Sequence, residues 1–147
     1  MLTSDVKNLR EQTGAGVMDA KRALEEAGGD VVKAVQIIQA KGLIRAEKRI
    51  ERATSSGLIV SYIHNDRIGV LLDIRCETDF VARTDDFRGL AHNIAMHIAA
   101  MNPENIETLF AEPFIKDQSL SVENLVKGVI AKVGENIRIE KFCYYAL

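Results

Sequence analysis

The spacing of the apolar residues changes near Gly57, and this change constrains the fold more than any other feature of the sequence. Up to residue 53, apolar residues recur every three or four positions, which is the period of an amphipathic helix. From Leu58 to Ile63 and from Ile68 to Cys76 the residues are rich in β-branched types and follow a period of two, with turn-forming residues 64–67 between the two runs. The sequence therefore predicts a helical part followed by a β-hairpin.

The first 53 residues predict a module of three short helices and then a linking helix. Thr13–Gly16 separates the first helix from the second, and Gly28–Gly29 separates the second from the third. Gly42 follows the third run of apolar residues, at the C′ position where glycine commonly ends a helix. The apolar residues keep helical spacing from Leu43 to Ala53, so we expect a separate amphipathic helix there. Because about 40 residues make only a marginal core, the module is expected to present a surface.

Residues 54–147 predict an α+β core subdomain. The hairpin supplies two strands, and the alternating run from Ile137 to Ala146 supplies a third, so we expect a three-stranded antiparallel sheet packed with helices. The boundary coincides with the small polar stretch Thr54–Gly57 and with a change of charge. Residues 1–53 carry 10 basic and 8 acidic groups, whereas residues 54–147 carry 9 basic and 13 acidic groups.

The helices of this subdomain are predicted from their caps. Thr84 precedes a long run with helical spacing, and its side chain is expected to cap that helix. Ser121–Val133 predicts a second helix, which Gly134 closes. The stretch 102–119 has the weakest secondary-structure pattern in the chain, and it predicts only one short helix around Ile106–Phe110.

Charge and composition exclude several classes of protein. The 147 residues include 19 Lys and Arg and 21 Asp and Glu, for a net charge of −2, whereas a general nucleic-acid binder must neutralise many phosphates. No apolar run approaches the ~20 residues that cross a bilayer, and Met1–Asp5 lacks the features of a signal peptide. Two cysteines, Cys76 and Cys143, do not make a disulfide framework. We therefore expect a cytoplasmic protein without nucleic-acid or membrane partners.

One basic strip on the predicted linking helix has three interpretations, of which nucleic-acid binding is the least favoured. Acidic residues interrupt it and no aromatic residue lies within it, so a solvated helix face is favoured over a docking strip for an acidic partner. The strip consists of Lys41, Arg45, Lys48 and Arg52.

The sequence shows no recognisable set of catalytic residues. His92 and His97 are five residues apart, whereas a metal-binding pair on one helix face needs a spacing of four. Cys76 has no neighbouring base and is expected to be a small buried residue. Gly14–Gly16 follows no strand and has no phosphate-loop lysine. We expect no metal, no cofactor and no small-molecule substrate.

Two segments instead indicate a binding surface. Gly14–Met18 places two apolar residues, Val17 and Met18, at the start of a helix, where a small core has room for only one of them. Cys76–Arg83 places Phe80 beside an acid at another helix start. Such an aromatic residue either packs back against the sheet or enters a pocket of another protein, and the chemistry alone leaves both open.

Three runs in order resemble the signatures of bacterial translation elongation factor Ts. They are Leu9–Leu24, Cys76–Arg83 and Gly134–Ile139, and the match extends over nearly the whole chain. The sequence departs from the family pattern at Val17, where Met is usual, and at Ala20, which is often Cys. The chain also has one copy of the core subdomain, whereas long members of the family have two.

The resemblance implies guanine-nucleotide exchange on elongation factor Tu, without covalent chemistry. It implies that the N-terminal module binds the nucleotide-binding domain of Tu and that a loop inserts beside its Mg²⁺ and phosphate site. The docking residues carried over to this sequence are Leu9, Ala15, Gly16, Val17 and Met18. The inserted loop carried over is Thr78, Asp79, Phe80 and Val81.

A homodimer is expected as well, because a lone three-stranded sheet leaves an edge and an apolar face uncovered. The last strand is the candidate interface, since it is more aromatic than a solvated strand requires. Cys143 resembles the position at which some short relatives bridge their subunits. The residues concerned are Phe142, Cys143, Tyr144 and Tyr145.

Two other classes of function remain open from the sequence. The N-terminal module resembles ubiquitin-associated domains, so a non-catalytic adaptor protein is the main alternative. A small RNA-binding accessory protein is the third. Capture of partners from a bacterial lysate would separate Tu, ubiquitin-like or nascent-chain partners, and RNA.

Overall fold

The computed structural model describes residues 3–147. The helices are α1 (Thr3–Thr13), α2 (Val17–Glu26), α3 (Val31–Glu47), α4 (Asp79–Ala82), α5 (Asp85–Met101), α6 (Ile106–Ala111) and α7 (Val122–Val133). The strands are β1 (Ser56–His64), β2 (Ile68–Cys76), β3 (Pro113–Phe114), β4 (Asp117–Ser121) and β5 (Ile137–Ala146). The predicted α+β architecture, with N-terminal helices followed by a three-stranded antiparallel sheet packed with helices, is confirmed.

The first three helices pack around a small core of their own. Three of its five fully buried members are alanines, so the helices approach closely and bury little apolar area. Asp30 caps α3, because its carboxylate accepts a hydrogen bond from the backbone N–H of Lys33 at 3.2 Å. The fully buried residues are Leu9, Ala20, Ala23, Leu24 and Ala34.

The end of the third helix differs from the prediction. Gly42 lies inside α3, which continues without a break to Glu47, and residues 48–52 form turns, so the predicted helix end at Gly42 and the separate helix to Ala53 are both wrong. The glycine serves another purpose. A Cβ atom at Gly42 would lie 3.2 Å from the Cβ of Ala131, so the missing side chain lets α3 and α7 pack closely.

The end of α3 and the turns after it contact the α+β subdomain. Ala46 is fully buried in the same core as the sheet. The buried Asn136 donates from Nδ2 to the carbonyl oxygens of Ile50, at 3.1 Å, and Arg52, at 2.8 Å. A truncation meant to remove only the N-terminal helices must therefore stop before Ala46.

The sheet has the order β1-β2-β5, and both strand pairs are antiparallel. The predicted hairpin is confirmed. Three residues lie between the paired His64 and Ile68. The N–H of Arg67 donates to the carbonyl oxygen of His64 at 3.0 Å, and the two central residues of this turn, Asn65 and Asp66, have positive φ angles of 49° and 59°. The alternation along β2 buries Val70, Leu72 and Ile74 on the face that α5 and α7 cover.

The cap predicted at Thr84 is present, and the helix predicted from Ser121 begins one residue later, because Ser121 is its N-cap. Thr84 accepts a hydrogen bond from the N–H of Phe87 at 3.3 Å, and Ser121 accepts one from the N–H of Asn124 at 3.1 Å. Gly134 has φ +77° and closes α7 in the left-handed conformation that glycine adopts at low cost. None of the helices within residues 3–147 is long and apolar enough to cross a membrane.

The stretch 102–119 contains the predicted short helix, α6. After it comes a hairpin of β3 and β4, which the sequence did not predict. Strands of two and five residues are too short to show a period. His97 holds this hairpin in place: the N–H of Ile115 donates to Nδ1 at 3.3 Å, and Nε2 lies 2.7 Å from Oε2 of Glu112. His97 is fully buried, whereas His92 is exposed and contacts Tyr62 edge to face.

The other face of the sheet is solvent-exposed and apolar at one end. Gly69 separates Ile63 from Tyr145 across the strands, and Leu71 pairs with Cys143. Ile63 is 62% exposed, Leu71 50% and Tyr145 75%. Within residues 3–147, these three side chains of the outer face are left exposed to solvent.

Candidate functional site

The segment that follows β2 presents Phe80 to solvent. Phe80 is the second residue of α4, and its side chain is 81% exposed, although a phenylalanine is normally buried. The next two residues, Val81 and Ala82, are buried and anchor the helix on the core. Of the two interpretations of this aromatic residue, packing against the sheet is therefore excluded by the structure.

Thr78 fixes the start of α4. Its hydroxyl accepts a hydrogen bond from the N–H of Val81 at 3.3 Å, as an N-cap does. Its own N–H donates to Oε1 of Glu135 at 2.9 Å, and its hydroxyl donates to Oε2 of the same carboxylate at 2.8 Å. Asp79, between Thr78 and Phe80, is exposed and has no ion pair with any residue from 3 to 147.

Cys76 is a core residue and not a nucleophile. Its side chain is buried at the end of β2, and its thiol donates to the carbonyl oxygen of Thr78 at 3.1 Å. Burial raises the pKa of the thiol, and the negative charge of Glu135 raises it further. The thiol therefore stays protonated at neutral pH, which suits its contact with the carbonyl group.

The segment Ala15–Met18, which the sequence predicts to dock on a partner, is exposed at the start of α2. Val17 is 50% exposed and Met18 57% exposed, Gly16 is exposed, and Ala15 is partly exposed. Leu9 differs from the others, because it is fully buried in the small helical core. Leu9 therefore supports this segment from within and does not supply surface for direct contact.

The loop before α2 is ordered by its own hydrogen bonds. The hydroxyl of Thr13 donates to the carbonyl oxygen of Leu9 at 2.6 Å and accepts from the N–H of Ala15 at 3.3 Å. Arg10 donates from Nε to the carbonyl oxygen of Ala15 at 3.3 Å. These contacts position Gly16 and Val17 without burying them.

Lys132 connects this loop to α5, the helix that follows the Phe80 segment, which consists of Thr78 and α4 (Asp79–Ala82). A Cβ atom at Gly14 would lie 2.7 Å from Cε of Lys132, so the lysine stem passes directly under the loop. Its ammonium group pairs with Asp86, in the first turn of α5, at 3.0 Å. Nothing in the sequence marks Lys132 as special, since a lysine in the last turn of a helix is ordinary.

The basic strip is largely neutralised. Lys41 pairs with Glu26 at 2.7 Å, Arg45 with Asp19 at 3.4 Å, and Arg52 with Glu77 at 3.9 Å. These pairs favour a solvated surface over a docking strip. Only Lys41 and Arg45 lie on α3, since Lys48 and Arg52 come after its end. Within residues 3–147, no group of three or more His, Cys, Asp or Glu side chains is placed to hold a metal ion.

The last strand divides its aromatic residues between two faces. Phe142 pairs with Leu72 and Tyr144 with Val70, so both side chains lie on the inner face and pack against the core. Cys143 and Tyr145 lie on the outer face. The four residues thus do not form one surface.

The family model and the relatives that match this chain carry the same family name. Residues 77–147 match the family model described as Elongation factor TS. The chain is similar to elongation factor Ts of Thermotoga petrophila, with 42% identity over 97% of this chain and 94% of the relative. The protein of the same name from Fervidobacterium nodosum is 40% identical over 93% of both chains.

Some relatives are longer. Elongation factor Ts of Gloeothece citriformis is 42% identical over 97% of this chain but only 66% of its own length. The alignment with the T. petrophila protein covers 186 positions, more than the 147 residues of this chain, so that relative has segments that this chain lacks. With this identity over almost its entire length, the chain belongs to the elongation factor Ts family and is a translation elongation factor.

Proposed function

We propose that this protein promotes the release of GDP from elongation factor Tu. The observation that carries the proposal is Phe80, an aromatic side chain held 81% exposed on a capped and anchored turn. An exposed aromatic residue on a fixed backbone gains binding energy when it enters a pocket of a partner. The docking segment Ala15–Met18 offers a second apolar contact on the N-terminal helices.

The mechanism is one of linkage between two binding equilibria. If the protein binds nucleotide-free Tu more tightly than GDP-bound Tu, then GDP binds the complex more weakly by the same factor. Insertion of Phe80 beside the nucleotide site would supply that difference, because packed cores respond to insertion by discrete shifts. Thr78 caps the segment, Val81 anchors it, and Asp79, which has no ion pair within residues 3–147, brings a negative charge to the same contact.

This role requires no bond to be made or broken by the protein. It requires no cofactor, resident metal or small-molecule substrate, and it takes place in the cytoplasm with translation. The chemistry of the site supports this role, since the Cys76 thiol is buried and protonated and the exposed side chains of the segment Cys76–Arg83 are those of Thr78, Asp79, Phe80 and Arg83.

Release of a fluorescent GDP analogue from Tu tests the proposal. Catalytic amounts of this protein are expected to accelerate release, with a rate that saturates as the concentration of Tu·GDP rises. An adaptor protein with a ubiquitin-associated-like module would leave the rate unchanged. Tight binding of GDP to this chain alone, measured by calorimetry, would contradict the proposal.

We also propose that the protein is a homodimer in which the outer faces of two sheets pack together. The apolar end of this face is contributed by Ile63, Leu71 and Tyr145, which a monomer leaves exposed. The other end carries the Asp73–Arg75 ion pair, at 3.1 Å, with Lys141 beside Asp73 across the strands. Opposite charges on one face can meet each other across a two-fold axis.

The outer face defines which residues of the last strand take part. Cys143 and Tyr145 would lie in the interface, whereas Phe142 and Tyr144 would support it from the inner face. Cys143 pairs with Leu71 of the central strand, so a two-fold axis through this region would place the two Cys143 thiols close together. A reducing cytoplasm disfavours an obligate disulfide, so packing is expected to hold the dimer.

Light scattering at micromolar concentration is expected to give twice the chain mass of 16.3 kDa. Leu71→Asp should give a monomer, because it would bury an unpaired carboxylate in the apolar part of the interface. Cys143→Ser should remain dimeric. Val32→Asp is the matched control, since Val32 is 68% exposed on α3, away from the sheet. A dimer that survives Leu71→Asp would place the interface elsewhere.

A further inference from the structure

The connector between α7 and β5 contacts the Phe80 segment through one side chain. Glu135 lies 57 residues from Thr78 in sequence, yet its two carboxylate oxygens accept both hydrogen bonds that Thr78 donates, at 2.9 and 2.8 Å. The next residue, Asn136, is buried and tied to the carbonyl oxygens of Ile50 and Arg52. Glu135 therefore projects from a firmly held connector.

The contact determines how Thr78 caps the helix. A threonine hydroxyl has one proton, and Thr78 donates it to Glu135, which leaves the oxygen lone pairs free to accept from the N–H of Val81. Without the carboxylate, that proton has no fixed acceptor and the backbone N–H of Thr78 loses its partner. Glu135 thus sets both the orientation of the cap and the position of the backbone before Phe80.

The Phe80 segment depends on this support because α4 has only four residues. A helix of that length has no stability of its own, and its geometry is set by its caps and its buried residues. Val81 and Ala82 hold its C-terminal half against the core. The side chain of Phe80 is too exposed to be positioned by its own packing, so its direction follows the backbone that Thr78 fixes.

We propose that Glu135 is a positioning residue for nucleotide exchange, because through Thr78 it fixes the direction in which Phe80 is presented to the partner. The inference rests on the proposed exchange function. If Glu135 only stabilised the fold, Glu135→Ala would slow nucleotide exchange in proportion to the loss of folded protein. That effect would be the same with and without Phe80.

The test compares Glu135→Ala with Glu123→Ala, a control that removes a glutamate from the opposite end of α7, where it pairs with Lys127 at 3.3 Å. Glu135→Ala is expected to lower the saturating rate of GDP release about tenfold, below the ~100-fold that a 1 Å displacement can cost. The concentration for half-maximal rate should change less than the rate itself. Glu123→Ala should leave both quantities unchanged.

A double-mutant cycle separates positioning from general destabilisation. In a Phe80→Ala background, Glu135→Ala should have less than about a twofold further effect, because the group that it positions is gone. Thr78→Ser keeps both donors and should retain exchange, whereas Thr78→Val should resemble Glu135→Ala. Equal effects of Glu135→Ala with and without Phe80 would overturn the proposal.

Amide hydrogen exchange tests positioning without Tu. In Glu135→Ala, the backbone amides of residues 79–82 are expected to exchange faster, above all those of Val81 and Ala82, whose N–H groups donate to Oγ1 and to the carbonyl oxygen of Thr78. The amides of the sheet should keep their wild-type protection. Unchanged protection of residues 79–82 would overturn the inference even if the wild-type protein is an active exchange factor. Conversely, a wild-type protein that fails to release GDP while Glu135→Ala loosens residues 79–82 would refute the proposed function and not the structural coupling.

Discussion

Replacing Phe80 with alanine is expected to slow GDP release from elongation factor Tu about thirtyfold and to leave the melting temperature unchanged. Truncation of an aromatic residue that is buried in an interface costs about 2 kcal/mol or more, which corresponds to roughly thirtyfold in the stability of a complex. The folded protein loses little, because the side chain is 81% exposed in the free chain. The measurement is the saturating rate of fluorescent-GDP release, with a thermal melt alongside.

Ile44→Ala is the control for this variant. Ile44 is an aliphatic residue on α3 that is 57% exposed, and alanine is a good helix former there, so neither exchange nor stability should change. A Phe80→Ala variant that melts at a much lower temperature but releases GDP at the normal rate would mean that Phe80 stabilises the fold and has no part in exchange.

Most elements of the fold could be predicted because their signals are local. The hairpin follows from alternating apolar residues around a polar turn, and Thr84 and Ser121 stand directly before the helices that they cap. The error at Gly42 has a physical cause. Glycine both ends helices and permits close helix packing, and the sequence does not show that Ala131, far along the chain, lies opposite.

The exposed parts of the candidate site were predictable for the same reason. Phe80, Val17 and Met18 stand at helix starts where apolar residues are unusual, and all three are exposed. Their supports were not predictable, because Glu135 and Lys132 act across long separations in sequence. A glutamate after a helix end and a lysine in the last turn are common on any protein surface.

Which residues of β5 face the core and which face solvent depends on how this strand pairs with β2. The sequence groups Phe142 to Tyr145 as one aromatic patch, but a strand sends alternate side chains to opposite faces. A bulge opposite Asp73 and Ile74 then decides which residues point outward. Only the pairing with β2 shows that Cys143 and Tyr145 share the exposed face.

Met18→Asp is expected to raise the concentration of protein needed for half-maximal GDP release about tenfold, with little change in the saturating rate. Met18 is 57% exposed at the second position of α2, and docking against a partner would bury its side chain. Placing a carboxylate there leaves a charge without a partner in the interface, which weakens binding. If the substitution weakens binding equally before and during nucleotide exchange, it raises the half-saturating concentration and leaves the saturating rate unchanged.

Val32→Asp provides a closely matched control for Met18→Asp. Val32 is also the second residue of a helix and is 68% exposed, and in both variants a negative charge in the first turn is favourable for the helix dipole. Neither variant should therefore lose stability in a thermal melt. If the two substitutions weaken exchange to the same extent, the effect is one of added charge on the N-terminal helices. If Met18→Asp alone weakens exchange, the start of α2 is the docking edge. Met18→Asp would then raise the half-saturating concentration, whereas Phe80→Ala lowers the saturating rate, so the two variants separate docking from nucleotide release.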